Sequence, residues 1–187
     1  MKLADKNKEL KNVTEKKQIK VDDIDYLLAN LASKESIIRI NARASLVSIG
    51  HQSIEPLLTA LSSKNQWVRW EAAKALSQIH DPSSVNGLVR ALRDKMFDVR
   101  WLAAEGLIAI GRKSILPVLK ALLDHSDSVW MREGAHHVIH DFCRGDMRHI
   151  LQPVLEALED LETSVKVPFI AQKTLDAIEE NRDELEI

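Results

Sequence analysis

The residues best suited to chemistry are the histidines, five of which fall between positions 125 and 149. Glu133, His136 and His140 are spaced at i, i+3 and i+7, so they share one face if this segment is helical. A carboxylate and two imidazoles can bind zinc or iron, but one helix supplies too few ligands. No His-Glu-x-x-His and no second Glu-x-x-His occurs. We therefore expect no metal and no other cofactor, and interpret these side chains as a polar face or a pH-responsive contact with a partner.

Other catalytic arrangements are missing from the sequence. Cys143 is the single cysteine, so no disulfide can form within the chain, which fits a cytoplasmic protein. The sequence has no glycine-rich phosphate loop and no recognisable Ser/His/Asp motif. These observations favour a protein that is not an enzyme.

Charge and hydropathy exclude two further classes of partner. The chain has 26 basic and 28 acidic residues and a pI near 6.4, so no overall positive charge draws it to nucleic acid or to acidic lipid. No apolar run approaches the roughly 18 residues of a membrane span, and the first 20 residues lack the apolar core of a secretory signal. We expect neither a membrane nor a nucleic acid as partner.

The chain repeats a segment of about 30 residues. The segments IDYLLANL, IEPLLTAL, VNGLVRAL, ILPVLKAL and LQPVLEAL align, starting at Ile24, Ile54, Val85, Ile115 and Leu151. A second segment follows in the first three units and aligns on Arg39, Arg69 and Arg100. Apolar residues at helical spacing in both segments predict two short helices per unit.

Small and special residues support this prediction. Proline fits the first turn of the first helix, where the N–H groups have no acceptor within the helix, and Asp81-Pro82 is a good cap and first-position pair. The Ala-Ala-x-x-Leu core of the second segment lets helices approach closely. Gly50 and Gly111 are predicted to end units one and three with positive φ.

The second segment carries a family resemblance. Its pattern is Val-Arg, Ala-Ala, Ala-Leu and Ile-Gly, clearest from Val68 to Ile79 and from Val99 to Gly111. In this pattern the chain resembles HEAT-repeat proteins of the short, phycobilisome-lyase-like type over about residues 21 to 178. The resemblance implies an all-α fold, a right-handed α-α superhelix of about five helix pairs. One such pair cannot bury both apolar faces alone, so the pairs must stack.

Three parts are expected along the chain. Residues 1–20 carry seven lysines against three acidic residues and are predicted to form a flexible basic arm. The repeat domain is predicted at 21–178, and an acidic tail at 179–187. The expected units lie at about 21–50, 51–80, 81–111, 112–146 and 147–178. Unit four aligns only with one inserted residue, and unit five has Pro168 inside its second-helix pattern.

The second helices are expected to form the inner, concave wall of the solenoid. Positions between their core residues point into the groove, and we predict that a protein or peptide partner binds there, centred on Trp70 and Trp101. The tryptophans would supply apolar contact, the glutamates would select basic groups, and Lys74, Arg132 and His136 would select acidic ones. The full predicted set is Trp70, Glu71, Lys74, Trp101, Glu105, Arg132, Glu133, His136 and His140.

Several residues have competing interpretations. Trp70 and Trp101 could instead fold down over adjacent units and serve packing. Trp67 and Trp130 lie near turns between helices and are predicted to be structural plugs. The recurring arginines suggest a ladder bonded to carbonyls or acids of neighbouring units, such as Asp98 beside Arg69, rather than a phosphate site.

Function is predicted on this basis to be a non-catalytic protein-interaction or scaffold module. The resemblance also implies two alternatives that would use the same groove: a bilin-lyase-like protein that handles chromophores, and a HEAT-like DNA-repair glycosylase. The acidic pI speaks against the glycosylase. A third relative by architecture, deoxyhypusine hydroxylase, is excluded, since its His-Glu pairs are replaced here by Trp70-Glu71 and Arg132-Glu133.

Overall fold

The computed structural model describes residues 21–181, and these form helices and short turns without a β-strand. The basic arm predicted at 1–20 and most of the predicted acidic tail lie outside the described residues. The helices are α1 Val21–Asn30, α2 Ser36–Ile49, α3 Ile54–Ala60, α4 Gln66–Ile79, α5 Val85–Ala91, α6 Phe97–Ile110, α7 Ile115–Asp124, α8 Val129–Phe142, α9 Arg148–Glu159 and α10 Thr163–Glu180.

The helices stack in two layers as successive pairs, α1/α2, α3/α4, α5/α6 and α7/α8. The second helices α2, α4, α6 and α8 pack extensively on one another, whereas the first helices approach each other much less closely. Closer spacing in one layer curves the stack toward that layer, so the second helices line its inner side. The predicted all-α solenoid is confirmed.

The fifth pair departs from the predicted stacking. Helix α9 packs against α8, and α10 packs against α9 and against α7, a first helix. A short connection, residues 143–147, sets α9 beside α8, where the second helix of a regular unit would lie. The apolar face of α10, with Val167, Ala171 and Leu175, is then buried on the outer layer. The fifth pair therefore closes the stack with its two helices in exchanged layers.

Small residues allow the close approach of the inner helices. The paired alanines of α4 and α6 are buried, as the sequence predicted. A Cβ added at Gly106 would lie 3.2 Å from the Cα of Ser77 on the neighbouring helix and 2.9 Å from the side chain of Leu88. A larger residue at position 106 would push α6 away from α4 and α5.

Glycines end α2 and α6 with positive φ, as predicted. Gly50 has φ 70° and ψ −129°, and Gly111 has φ 86° and ψ −152°. These values lie outside the left-handed helical region, in a part of backbone space that is nearly restricted to glycine. His80 holds the equivalent position after α4 in a left-handed conformation, with φ 57° and ψ 30°.

Replacing Gly111 by Ala should lower the free energy of unfolding by about 2 kcal/mol because a Cβ makes this backbone conformation strained. No atom lies within 4 Å of the added Cβ, so a packing clash cannot cause the loss. Gly145→Ala is the control, since its φ is not positive and its Cβ would meet only Phe142 O at 3.7 Å. Urea denaturation should show little or no loss for this control; equal losses for both variants would exclude the backbone explanation.

Buried serines join consecutive helices and were not singled out from the sequence. Ser53 and Ser114 are fully buried, and each hydroxyl donates to a carbonyl seven residues earlier, Ser53 to Leu46 at 2.8 Å and Ser114 to Leu107 at 2.9 Å. Each hydroxyl is a second donor to its carbonyl, because Leu46 O also accepts from the N–H of Gly50 and Leu107 O from that of Gly111. The sequence signal is a serine directly before the Ile or Val that opens each first helix of units two to four.

The predicted arginine ladder is confirmed, and it follows one rule in four units. Each Nη1 donates to the carbonyl oxygen six residues earlier, in the turn before its own helix. The pairs are Arg39 to Ser33 at 2.8 Å, Arg69 to Ser63 at 2.9 Å, Arg100 to Asp94 at 2.9 Å and Arg132 to Ser126 at 2.5 Å. The carbonyls belong to the arginine's own unit.

The acidic partner of Arg69 is Asp94, not Asp98. Arg69 donates from Nε to Asp94 Oδ2 at 2.6 Å and from Nη2 to Oδ1 at 3.1 Å. The same carboxylate accepts from the N–H of Met96, which fixes the turn between α5 and α6. This forked ion pair joins units two and three.

The ladder also corrects the alignment of unit four. Arg132 occupies the ladder position, so the predicted insertion inside the second-helix pattern was wrong. The extra residues lie earlier, because α7 has ten residues where α3 and α5 have seven. The position equivalent to Trp70 and Trp101 is therefore Glu133, and His137 is equivalent to Lys74 and Glu105.

Within residues 21–181, none of the helices is both long enough and apolar enough to cross a membrane.

Candidate functional site

Glu71 is not a groove residue, contrary to the prediction. Its side chain is 2% exposed and lies between two arginines of α2. Arg43 Nη1 donates to Glu71 Oε2 at 2.5 Å, and Arg39 Nε lies 3.3 Å from Glu71 Oε1. Burial at the interface of α2 and α4 leaves this carboxylate no access to a partner.

The two tryptophans predicted at the centre of the groove differ in their burial and in their ring contacts. Trp70 is half-buried against the hydrophobic core, and the Arg43 guanidinium lies 5.6 Å from its ring centroid. The ring contacts of Trp101 are instead with Phe97, at a centroid distance of 6.2 Å, and with His137, at 4.3 Å. Trp70 therefore follows the packing interpretation, while Trp101, at 46% exposure, remains open to a partner.

Trp67 and Trp130 are not buried plugs, because each is almost half exposed. A ladder arginine lies against each ring. The guanidinium of Arg39 is 5.0 Å from the centroid of Trp67, and that of Arg100 is 5.1 Å from the centroid of Trp130. Each arginine thus holds a tryptophan ring of the next unit at the surface by a cation–π contact.

The inner side of units three and four carries an aromatic surface, which we define as Phe97, Trp101, Trp130 and His137. Helix α6 supplies Phe97 and Trp101 one turn apart, and α8 supplies the other two rings. Arg100 lies between them, 5.7 Å from the centroid of Phe97 and 5.1 Å from that of Trp130. Phe97, Trp101 and Trp130 are all exposed, so this surface is the largest exposed aromatic group on the inner side of the described residues.

A small cavity of about 90 Å³ opens within the aromatic surface. Phe97, Trp101 and His137 form its walls, and the small residues Ala104 and Gly134 form its floor. Gly134 cannot carry a side chain without moving Leu92, since an added Cβ would lie 2.9 Å from that leucine. Close helix packing between units three and four therefore creates the cavity.

One exposed carboxylate, Glu133, lines this cavity, and a second, Glu105, contacts its wall residue His137. Glu133 is 57% exposed and lies 3.5 Å from Arg100 Nη2. Glu105 is 46% exposed and its Oε1 is 2.8 Å from His137 Nε2. Arg100, the cation of the site, is only 11% exposed. The charge presented to solvent at this cavity is therefore negative.

The remaining predicted groove residues lie apart from this cavity. Lys74 is half-buried on α4, and Arg132 is occupied by the ladder bond to Ser126. His136 faces the last helix pair, with Nε2 3.0 Å from Glu159 Oε1, and its ring stacks on His140 at 5.9 Å. Of the predicted set, the structure brings together only Trp101, Glu105 and Glu133.

The side chains of Glu133 and His136, which were predicted to share a helix face with His140, contact different partners. Glu133 contacts Arg100, and His136 contacts Glu159. Among residues 21–181, no group of three or more His, Cys, Asp and Glu side chains is placed to hold a metal ion.

Cys143 and Asp81 lie away from the aromatic surface and have shifted pKa values. Burial raises the pKa of the Cys143 thiol at the end of α8, so this cysteine is a weak nucleophile. Asp81 has its pKa lowered to about 2 by hydrogen bonding to His51, at 2.8 Å, and to Ser83. Its carboxylate caps the turn before α5 and links units two and three. Neither group takes part in the candidate site.

Phe97, Trp130 and His137 are the site residues that sequence reasoning missed or assigned elsewhere. The misplaced insertion in unit four moved His137 out of the predicted stripe. Phe97 follows directly on the turn before α6, and its aromatic neighbour one turn later, Trp101, was the available signal.

Comparison with known proteins gives consistent matches. Residues 24–96 match the family described as HEAT repeats, and residues 99–125 match the PBS lyase HEAT-like repeat. The chain is similar to the uncharacterized phycocyanin operon protein Z of Pseudanabaena tenuis, with 35% identity over 108 residues, 53% of this chain and 54% of the relative. It is also similar to the bilin biosynthesis protein RpcF of a Synechococcus species, with 33% identity over 88 residues, 46% of this chain and 42% of the relative.

The chain thus spans about half the length of these relatives. The two repeat matches together reach from residue 24, within α1, to residue 125, just after α7, and Trp101 lies within the second match. They therefore agree with the first three stacked pairs of the structure. The chain belongs to the HEAT-repeat proteins of the PBS lyase-like family.

Proposed function

We propose that the chain is a non-catalytic interaction module that binds a protein partner through the aromatic surface of units three and four. The observation that carries this proposal is the exposure of Phe97, Trp101 and Trp130 on the inner side of the stack. Exposed aromatic side chains that surround a small cavity are typical of binding hot spots, where tryptophan and arginine are enriched.

The construction of the site supports binding rather than catalysis. Arg100 makes a ladder bond to Asp94 O that keeps its guanidinium against the rings of Phe97 and Trp130. A surface held in this way loses little conformational entropy when a partner binds. The carboxylates nearby pair with Arg100 and His137, and no serine, threonine, cysteine or lysine lies among the residues that line the cavity.

The test is capture of partners by the immobilised full chain from the host, compared between variants. A chain with both Phe97→Ala and Trp101→Ala should lose a partner that the native chain retains. The control is Phe169→Ala, which removes an equally exposed ring from α10, away from the aromatic surface. Identical sets of retained proteins for the native chain and the double variant would contradict the proposal.

A second candidate function is the handling of a bilin at the same surface. It is favoured by the two relatives, one named for a phycocyanin operon and one for bilin biosynthesis. Flat conjugated rings stack well on exposed tryptophan and phenylalanine. This candidate predicts that biliverdin changes its absorbance spectrum on mixing with the native chain and not with the Phe97→Ala, Trp101→Ala variant. An unchanged spectrum with the native chain would exclude it.

A further inference from the structure

The charges around the cavity of units three and four differ sharply in their access to solvent. The one cation in its lining, Arg100, is almost buried, and it already donates to Asp94 O at 2.9 Å and lies against two aromatic rings. The carboxylates of Glu133 and Glu105 are about half exposed. The charges that solvent and an incoming group can reach are therefore these two carboxylates, not the cation.

The shape of the cavity fits a slender side chain with an apolar stem. The walls of Phe97 and Trp101 are aromatic, and the floor of Ala104 and Gly134 leaves no polar side chain at the bottom. A cavity of about 90 Å³ has room for several methylene groups. Lysine and arginine have such stems, and they keep a charged head outside an apolar contact.

We propose that this cavity receives a lysine or arginine side chain from a basic segment of the protein partner. The stem packs between Phe97 and Trp101, and the charged head lies at the carboxylates of Glu133 and Glu105. This inference rests on the proposed function, and it specifies the chemistry of the partner. The same charges act against an anionic ligand such as the carboxylates of a bilin, because no exposed cation lines the cavity.

The test uses short synthetic peptides in which serine alternates with lysine, arginine, glutamate or norleucine, added to the full chain. Norleucine has the stem of lysine without its charge, so it separates apolar packing from charge attraction. Binding is followed by the NMR signal of the Trp101 indole N–H, assigned by its loss in Trp101→Phe. Lysine and arginine peptides should shift this signal to saturation and bind at least several-fold more tightly than the norleucine peptide.

The carboxylates are tested by Glu105→Gln combined with Glu133→Gln, which keeps size and removes charge. Each exposed carboxylate should contribute about threefold, so the double variant should bind the lysine peptide about tenfold more weakly. Glu179→Gln, on the exposed part of α10, is the matched control and should bind as the native chain does. Added salt should weaken binding to the native chain more than to the double variant.

Three results would overturn the inference. The first is a saturable shift of the Trp101 signal by the glutamate peptide or by biliverdin but not by the lysine and arginine peptides. The second is equal affinity of the native chain and the Glu105→Gln, Glu133→Gln variant for the basic peptides. The third is that the native chain does not bind the basic peptides at all. If this double variant still captures a partner that is lost with Phe97→Ala and Trp101→Ala, the proposed function stands and only the charge assignment falls.

Discussion

Replacing Glu71 by Ala should lower the free energy of unfolding by about 3 kcal/mol, because the change leaves two nearly buried arginines without their counter-charge. Glu71 is 2% exposed, and Arg39 and Arg43 both lie against its carboxylate. The pair also joins α2 to α4, so its loss weakens the interface between units one and two. Urea denaturation followed by circular dichroism measures the change.

The matched control is Glu133→Ala. Glu133 also pairs with a ladder arginine, at 3.5 Å from Arg100, but it is mostly exposed. Solvent screening limits the contribution of such a pair to less than about 1 kcal/mol. Residue type and partner type are the same in the two variants, whereas burial and the number of arginine partners differ. A similar loss in both variants would show that burial of Glu71 has no special part in stability.

Trp101→Ala should abolish most partner binding, whereas Trp70→Ala should mainly destabilise the fold. A central tryptophan of a binding surface contributes about 2 kcal/mol or more, which corresponds to roughly thirtyfold in affinity. Trp101 is half exposed and contacts Phe97 and His137 at the surface, so its removal should cost less than about 1 kcal/mol of stability. Trp70 packs on the core and on Arg43, so its loss should cost about 2 kcal/mol.

Affinity and stability must both be measured for the two variants. Affinity for the captured partner, measured by titration, should fall more for Trp101→Ala, whereas the midpoint of thermal unfolding should fall more for Trp70→Ala. If binding depends equally on Trp70 and Trp101, the centre of the binding site lies in units two and three, as the sequence predicted. Strong destabilisation by Trp101→Ala would instead assign that ring to packing.

The exposed stripe on α10 is a second apolar feature of the stack. Val165 and Phe169 lie one turn apart on the exposed side of α10, and the exposed Leu161 lies in the turn before this helix. Because the fifth pair has exchanged layers, no further helix among the described residues covers this side. The Phe169→Ala control of the capture experiment also reports whether this stripe contributes to partner binding.

The sequence by itself determined the repeating unit of this protein. Helical spacing of apolar residues, proline in the first turn of α3 and α7, glycine with positive φ after α2 and α6, and the alanine core of α4 and α6 are local features. Each can be recognised from a few neighbouring residues of the chain. The arginine ladder was predictable because arginine recurs at one position of the repeat, but its acidic partners, such as Asp94 for Arg69, belong to the next unit and were not identified from the sequence.

Only the tertiary structure decided which of the repeated surface positions are open. Trp70 and Trp101 occupy the same place in the pattern, but Arg43 stands beside the first and His137 beside the second. Glu71 is buried because two arginines of the preceding unit meet it, a fact that spacing within one unit does not contain. The aromatic surface and the exchanged fifth pair likewise arise between units, where contacts join residues about 30 or more positions apart.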